Sequence, residues 1–266
     1  MKQQPLISVV MAEYNTELFL LKESIKSILS QTYGNFEFII IDDCGKNNVE
    51  KIVKKIGDKR IKVLKNDKNK GLVYSLNKGI ENAKGKYIAR MDTDDYSYPN
   101  RFEIEVNFLE SNSEYALVAS NCDYYDEHGI WGSINGDSRE ITRRNLLKSG
   151  SIVHPTVMMR TDALKNIGGY LDYNRCEDYA TWVELYFNGY KLYKIKDKLL
   201  NYHLSLDDYK KRKLSKRKGY FSFLKNQYKK LNPTLIDYSS QYLKTIIAGI
   251  VPHNILYNYH KKKLNK

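Results

Sequence analysis

The sequence predicts an α/β fold with a mostly parallel central sheet flanked by helices. Over the first 125 residues, short apolar runs typical of buried strands alternate with segments in which apolar residues recur at helical spacing. Strands separated by helices of about 10–15 residues are typical of βαβ units, whose strands are parallel. Acidic side chains follow three of the predicted strands directly, at the edge where such sheets bind ligands.

Five strands and four helices are predicted in the first half of the chain. Residues 6–11 form an apolar run, β-branched at its centre, that stops at Glu13. Leu18–Leu29 then carries apolar residues at helical spacing, and Phe36–Ile41 is a second continuous apolar run. The same reasoning gives helices over 49–56, 72–83 and 101–109, and strands over 61–64, 87–91 and 116–119.

Residues 125–205 follow a different pattern, because glycines interrupt the alternation. The predicted elements are a helix over 139–147, a strand over 154–160, a turn at 167–170, a helix over 177–187, and strands over 191–195 and 199–203. From residue 207 onward, two helical stripes of apolar residues are separated by Pro233.

The positive charge of the chain is concentrated in its last quarter. The formal net charge is +13, and residues 207–266 hold 15 Lys and Arg against 3 Asp and Glu, with close cationic clusters at 210–213 and 216–218. A basic amphipathic segment of this kind is typical of a protein that lies on an anionic membrane surface. A solvated helix pair packed on the body is the alternative. Nucleic-acid binding is disfavoured, because no nucleic-acid-binding motif accompanies the charge.

Several classes of protein are excluded by composition. No apolar run approaches the roughly 18–20 residues needed to span a bilayer, and no signal-peptide pattern is present. The three cysteines, Cys44, Cys122 and Cys176, are far apart and form no CxxC pair, so they support neither a disulfide framework nor a structural zinc site. We expect a cytoplasmic protein.

Acidic residues lie at three strand ends that a parallel sheet brings to one edge: Glu13, Asp42, Asp43, Asp92, Asp94 and Asp95. A single Asp after a strand is often a helix cap or a turn former, but three such ends favour a shared site. Alternate carboxylates at a strand end face the same way, and they suit Mg²⁺ or Mn²⁺. Neither a P-loop nor a Gly-x-Gly-x-x-Gly motif is present, so a diphosphate would be neutralised by the metal and by cations such as Arg90.

Nine short motifs occur in order along the chain: ISVVMAEYN (7–15), SILSQTY (27–33), FIIIDD (38–43), NKGL (69–72), NKGI (77–80), ARMDTDD (89–95), HPTV (154–157), GGY (168–170) and EDY (177–179). In order and spacing they resemble the family 2 glycosyltransferases, which are inverting enzymes with the GT-A fold. The resemblance covers about residues 5–205 and includes bacterial enzymes of capsule, exopolysaccharide and O-antigen synthesis.

This resemblance implies a division of the chain and a set of donor-binding residues. The catalytic domain would cover 1–206, with a nucleotide-binding half (1–122) and an acceptor-binding half (123–206), and residues 207–266 would be a basic amphipathic helical extension. The family often has Pro or Thr where this chain has Ala12. The residues implied to bind the nucleotide sugar are Ala12, Glu13, Tyr14, Asp42 or Asp43 for the base, Asn69, Gly71, Arg90 and Asp92.

The resemblance also implies the metal-binding and catalytic residues. Asp94, with Asp92 and His203, would bind Mn²⁺ or Mg²⁺. Asp178, beside Glu177, would be the general base that deprotonates the acceptor hydroxyl. His154 and Gly169 would lie on the acceptor side.

Structural alternatives to several of these roles remain open. Glu177 and Asp178 suit the first turn of a helix through its dipole, and Arg90 could pair with a nearby Asp. His154 could be a core histidine, and Gly169 could serve the turn alone.

The expected activity is metal-dependent transfer of a sugar, with inversion, from a nucleotide diphosphate donor to a hydroxyl group. A UDP-sugar is the favoured donor, and a lipid-linked surface glycan is the expected acceptor. The enzyme would associate with the inner face of the cell membrane through its basic tail. The alternative is a catalytically silent protein that binds nucleotide sugar or docks other synthesis enzymes; such a protein is expected to have lost Asp94 or Asp178, and both are present.

Overall fold

The structure, a computed structural model, describes residues 4–173, 175–210, 214 and 217–264. Its strands are β1 (Ile7–Glu13), β2 (Phe36–Asp42), β3 (Ile61–Lys65), β4 (Tyr87–Arg90), β5 (Tyr96–Ser97), β6 (Tyr115–Asp126), β7 (Gly129–Ile134), β8 (Arg139–Glu140), β9 (Met158–Arg160) and β10 (Lys191–His203). Its α-helices are α1 (Leu18–Leu29), α2 (Val49–Ile56), α3 (Leu72–Asn82), α4 (Arg101–Ser111), α5 (Arg143–Lys148), α6 (Thr161–Asn166), α7 (Glu177–Phe187), α8 (Leu206–Lys210), α9 (Lys218–Asn226), α10 (Leu235–Ile250) and α11 (His253–Leu264).

One sheet contains all of these strands, in the order β3-β2-β1-β4-β9-β6-β10-β5, with β7 paired to β6 and β8 paired to β10. Strands β1 to β4 are parallel to one another, and β10 is parallel to β6. Strand β9 runs antiparallel between β4 and β6. The α/β class, with a central sheet flanked by helices, is therefore confirmed. The ends of β1, β2 and β4 lie side by side, with Glu13 opposite Asp42.

The core has two layers, one on each face of the sheet, because successive side chains of a strand point to opposite faces. Val10 belongs to the layer covered by α3 and α7, whereas Val9 and Met11 belong to the layer covered by α1 and α4. In the first layer Gly79 of α3 lies so close to β1 that a Cβ there would be 2.5 Å from Val10 Cγ1. This close packing brings the amino end of α3 to the carboxyl ends of the strands.

Three predicted elements of the second half differ from the structure. The helix predicted over 139–147 starts only at Arg143, because Thr142 forms a capping box with Asn145, and the residues before it form β8. The strand predicted over 154–160 begins with a turn of 3₁₀ helix over His154–Thr156. The two strands predicted over 191–195 and 199–203 form one strand, β10, whose pairing with β6 is irregular in between.

The last quarter of the chain is helical where the structure describes it. Phe223, Leu224 and Tyr228 join the core beside α7, and Thr234 starts α10 with a capping box just after Pro233. No helix in the described part of the chain is long and apolar enough to span a bilayer. Residues 211–213 and 216, which belong to the two cationic clusters, lie outside the described residues.

Candidate active site

Glu13, at the end of β1, fixes the turn that follows this strand. The side chain is fully buried, and its Oε1 accepts hydrogen bonds from Thr16 N–H at 3.1 Å and from the Asn47 amide at 2.8 Å. Burial raises the pKa of Glu13. Ala12 packs against the core below this turn, whereas the Tyr14 ring is exposed. The turn therefore presents an aromatic side chain at the strand edge.

Asp43 uses both carboxylate oxygens to hold the loop before α3. They accept hydrogen bonds from the Asn66 side chain at 2.6 Å and from the backbone N–H groups of Lys70 and Gly71 at 2.8 and 2.9 Å. Gly71 has a left-handed backbone, φ +87°, that glycine adopts readily, and Asn69 beside it is exposed. The carboxylate of Asp43 is thus used in positioning the loop.

Asp42, the neighbouring residue, has a smaller structural task. One of its oxygens accepts a hydrogen bond from the backbone N–H of Cys44 at 3.0 Å. Of the two carboxylates at the end of β2, Asp42 has more remaining capacity to accept a hydrogen bond from a ligand.

Arg90 and Asp92 form an ion pair at the end of β4. Arg90 is 2% exposed, and its Nη2 lies 2.5 Å from Asp92 Oδ1. Burial raises the pKa of Asp92 in spite of Arg90, and the nearby Asp94 carboxylate adds to the effect. Arg90 Nε and Nη1 are buried and have no hydrogen-bond partner among the described residues. The pair that the sequence left open as a structural alternative is therefore present, and two donors of Arg90 lie beyond it.

Asp94, Asp95 and His203 bring the end of β10 next to the end of β4. Asp95 is buried, and its Oδ1 accepts a hydrogen bond from the backbone N–H of His203 at 2.8 Å. Burial and the charges of Asp92 and Asp94 raise the pKa of Asp95 well above its usual range. This bond places His203 Nδ1 3.5 Å from Asp94 Oδ2 and 3.9 Å from Asp208 Oδ2.

The Asp94–His203 pair fits part of a divalent-metal site. Asp94 is 37% exposed, and His203 Nδ1 is buried with no hydrogen-bond partner among the described residues. Burial opposes the charged form of His203, but Asp94 and Asp208 outweigh it and raise the pKa. In the described part of the chain, no three His, Cys, Asp or Glu side chains are grouped so that they could hold a metal ion. An ion at Asp94 would therefore complete its coordination with substrate phosphate and water, as Mg²⁺ commonly does.

Asp178 lies in the first turn of α7, at the rim of a cavity of about 180 Å³. The cavity is also lined by Asn145, Ser151 and Trp182, so both polar and aromatic groups contribute to its wall. Burial and the adjacent Glu177 carboxylate raise the pKa of Asp178 to about 7. Burial likewise raises the pKa of Glu177. A carboxylate with this pKa is suited to accept a proton near neutral pH.

His154 contacts the side chain of Tyr170, and Gly169 is the residue before Tyr170 in the chain. His154 Nε2 lies 2.9 Å from the Tyr170 hydroxyl, and burial together with Arg90 lowers the pKa of His154 well below its usual range. The neutral imidazole is therefore the stable form. Asn77 of α3 binds both backbone polar groups of Tyr170, at 2.8 and 2.9 Å.

Charged groups from the end of β4 and from the start of α7 both influence the Tyr170 hydroxyl. Burial raises the pKa of its hydroxyl; Arg90 opposes this, and Asp178 and Asp92 add to it. Charges on β4 and on α7 therefore act on the same side chain. Among the predicted site residues, the structure pairs Arg90 with Asp92 and Asp94 with His203, whereas Tyr14 and Asn69 are exposed.

Sequence reasoning missed four residues that shape this site. The sequence marks Tyr170 only as part of a turn and of the GGY motif, and Asp95 only as one of the strand-end acids. Asn77 gave no signal beyond its motif. Asp208 is the acceptor for Ser205, whose N–H and hydroxyl both lie 3.0 Å from its Oδ2, and this Ser-x-x-Asp spacing could have marked it as a helix cap.

Comparisons with known proteins identify the family of the chain. The sequence matches the family described as Glycosyl transferase family 2 over residues 8–168. It is 33% identical over 271 residues to a Bacillus subtilis (strain 168) protein that bears the name glycosyltransferase EpsE. This alignment covers 99% of this chain and 96% of that protein. It is 34% identical over 188 residues to the Escherichia coli UDP-Glc:alpha-D-GlcNAc-diphosphoundecaprenol beta-1,3-glucosyltransferase WfaP. This alignment covers 70% of this chain and 72% of WfaP.

The fold is also similar to a solved structure, that of S. aureus TarS 1-349 in complex with UDP. The TM-score is 0.65 at 20% sequence identity, and the match covers 90% of this chain and 70% of TarS 1-349. With the family match over more than half of the chain, and with relatives above 30% identity, these comparisons identify the protein at the level of the family. The chain belongs to glycosyl transferase family 2 and is a glycosyltransferase.

Proposed function

We propose that this glycosyltransferase moves a sugar from UDP-sugar to a hydroxyl group of a lipid-linked surface glycan, with inversion and with the help of Mn²⁺ or Mg²⁺. The observation that supports the proposal is that the site residues fall into a donor side and an acceptor side with different chemistry. An Asp94–His203 pair lies on one side, and Asp178, with a pKa of about 7, lies on the other. Inversion by single displacement needs a stabilised leaving group and a base, and these residues meet both needs.

The donor side supports a nucleotide diphosphate. Asp42 can accept a hydrogen bond from the N–H of a uracil base, and Tyr14 offers a ring beside it. The unpaired Nε and Nη1 of Arg90 are suited to the oxygens of a diphosphate. WfaP by its name uses UDP-Glc, and TarS was solved with UDP, so a UDP-sugar is the donor that the relatives favour.

The metal would be held by Asp94 and His203, with Asp92 close by. Bound there, a divalent cation would supply positive charge to the departing diphosphate. The protein itself prepares this position, since the bond from His203 N–H to Asp95 fixes the end of β10 beside Asp94.

The acceptor side supports general-base catalysis. Asp178 would take the proton from the acceptor hydroxyl, and a positioned base of this kind is worth about 10²–10⁴-fold in rate. Oδ1 of Asp178 accepts a hydrogen bond from Tyr179 N–H at 2.7 Å, which fixes the orientation of the carboxylate. The uncharged His154–Tyr170 pair lies beside it as a polar wall without a competing base.

We also propose that the enzyme works on the cytoplasmic side of the membrane and contacts the membrane surface through its basic tail. The name of WfaP describes an acceptor attached to diphosphoundecaprenol, a lipid, and such an acceptor is confined to a membrane. The 15 Lys and Arg of residues 207–266 suit an anionic leaflet.

The experiment that tests the proposal is calorimetric binding of UDP, GDP and dTDP, each with and without Mn²⁺. We expect UDP to bind in a manner that depends on Mn²⁺, and Asp94→Ala to remove that dependence. Asp178→Asn is the matched control, since it should bind UDP as the wild type does while transfer falls by about 10²–10⁴-fold. No binding of any nucleotide would refute the donor assignment and favour a silent scaffold. Transfer by Asp178→Asn at the wild-type rate would refute the base.

A further inference from the structure

Helix α10 buries polar residues and exposes apolar ones, which is the reverse of the usual arrangement in a surface helix. Gln241 and Thr245 face inward and are 2% and 3% exposed, whereas Ile236, Leu243 and Ile250 face outward and are 81%, 59% and 67% exposed. Surface helices of globular proteins normally bury their apolar stripe and expose their polar one. Nothing in the described part of the chain covers the outward stripe.

The exposed apolar residues of α10 form a ridge on one face of the helix, and Ser239 lies among them. Most of them are separated by three, four or seven residues, and this spacing places them on one face. The ridge comprises Leu235, Ile236, Leu243, Ile246, Ile247 and Ile250, all of which are exposed. An exposed apolar patch of this kind marks a protein or membrane interaction site.

Positive charge lies beside the ridge. Leu214 sits in a segment with seven Lys and Arg between residues 210 and 218, and its Cβ would be 2.9 Å from a Cβ added to Gly249 of α10. Leu214 therefore packs against the carboxyl-terminal half of the helix, and the described cations Lys210, Arg217 and Lys218 lie within four residues of it along the chain. Lys244 on α10 is itself exposed. An apolar ridge bordered by cations is complementary to the surface of an anionic bilayer.

The inner face of α10 is hydrogen-bonded beside the cavity that Asp178 and Tyr220 line, which is called the acceptor cavity because Asp178 is the proposed base. Gln241 Nε2 donates to the carbonyl oxygen of Leu147 at 2.6 Å, and its Oε1 accepts from the Tyr220 hydroxyl at 2.9 Å. Tyr220 lines the cavity at whose rim Asp178 lies. One helix, about 10 Å in diameter, therefore separates the ridge from the cavity wall.

We infer that the ridge of α10 inserts into the surface of an anionic membrane and thereby holds the acceptor cavity at the level of the lipid headgroups. A lipid-linked acceptor would then reach Asp178 without leaving the bilayer. The inference rests on the proposed function for the identity of the acceptor, but the contact between the ridge and the bilayer stands independently of it.

The first test uses the full chain and vesicles made of phosphatidylcholine and phosphatidylglycerol in roughly equal parts. We expect Ile236→Ser/Leu243→Ser/Ile247→Ser to lower the vesicle partition coefficient at least about 100-fold, because three apolar side chains lose their burial in lipid. The matched control, Ile130→Ser/Phe187→Ser, removes exposed apolar side chains elsewhere and should bind as the wild type does. Wild-type partitioning by the triple variant would overturn the inference.

A second test measures contact with lipid directly. In vesicles of brominated phospholipid, the fluorescence of Leu243→Trp should be quenched, and that of Ile130→Trp should not. Calorimetry of UDP on the triple variant separates the two proposals, since we expect binding to be unchanged. If UDP binds neither protein, the donor assignment fails while the membrane contact can still hold.

Sedimentation velocity without vesicles tests whether a second copy of the chain, rather than a membrane, covers the ridge. We expect the wild type and the triple variant to sediment alike. A wild-type dimer that the triple variant converts to a monomer, together with unquenched Leu243→Trp, would overturn the inference and make the ridge an interface between copies.

Discussion

Gly168 and Gly169, the turn before Tyr170, differ in the space that a side chain would find. Both have a left-handed backbone, with φ of +85° and +81°. A Cβ at Gly168 would meet no heavy atom within 4 Å, whereas a Cβ at Gly169 would lie 2.5 Å from Asn77 Oδ1. That oxygen accepts a hydrogen bond from Tyr170 N–H at 2.8 Å. Gly169→Ala must therefore displace the Asn77 amide, and Gly168→Ala need not.

The expected costs follow from these two terms. A left-handed backbone costs an alanine about 1–2 kcal/mol at either position. Displacing Asn77 breaks its two hydrogen bonds to Tyr170, each worth about 0.5–1.5 kcal/mol, and adds about 1–3 kcal/mol at Gly169 alone. We expect Gly168→Ala to cost about 1–2 kcal/mol and Gly169→Ala about 2–5 kcal/mol, out of a total stability of about 5–15 kcal/mol.

Urea unfolding of both variants, alone and combined with Asn77→Ala, measures the difference. In the Asn77→Ala background the clash is absent, so both glycine substitutions should cost about the same. Equal costs at the two positions in the wild-type background would refute the argument from space. So would a cost of Gly169→Ala that Asn77→Ala leaves unchanged.

Three further predictions concern carboxylates and one buried arginine. Burial raises the pKa of Asp178 to about 7, so the base is protonated below that pH. We therefore expect kcat/KM to fall about tenfold for each pH unit below 7, and a profile that is flat to about pH 5 would contradict this. Asp42→Ala should weaken UDP binding, measured by calorimetry, and change the unfolding free energy little. Asp43→Ala loses three hydrogen bonds and should therefore lower the unfolding free energy, measured in urea, by about 2–4 kcal/mol. Arg101 and Glu105 are both fully buried and lie 3.1 Å apart, so Arg101→Met should cost about 3–5 kcal/mol in the same assay, and a loss below about 1 kcal/mol would count against the pair.

The first half of the fold could be predicted in detail because each of its helices has one buried face. The observed bounds of α1, Leu18–Leu29, and of α2, Val49–Ile56, match the predicted ones. Amphipathic spacing identifies such helices reliably, and the buried parallel strands between them are continuous apolar runs.

The second half was harder to predict, for physical reasons that particular residues show. Gly129 and Gly132 indicated breaks in the pattern, yet they lie in β7, which forms a hairpin with β6. The run Lys196–Lys198 is exposed and polar in the middle of β10, so a single strand looked like two. The insertion of β9 between β4 and β6 is set by tertiary pairing that no local pattern records.

The acidic residues at the strand ends have two different tasks, which spacing alone could not separate. Glu13, Asp43 and Asp95 are buried, and each accepts backbone N–H groups that fix a loop or a neighbouring strand. Asp92 and Asp94 remain partly exposed, and each is paired with one basic side chain, Arg90 or His203. An unsatisfied buried acceptor costs free energy, so the bonds that these three acids accept stabilise them in the buried state, and the same bonds fix the backbone next to the more exposed acids. At the ends of β2 and β4, an acid that positions the backbone therefore lies next to acids that remain available to a ligand, and only the donors around each oxygen distinguish them.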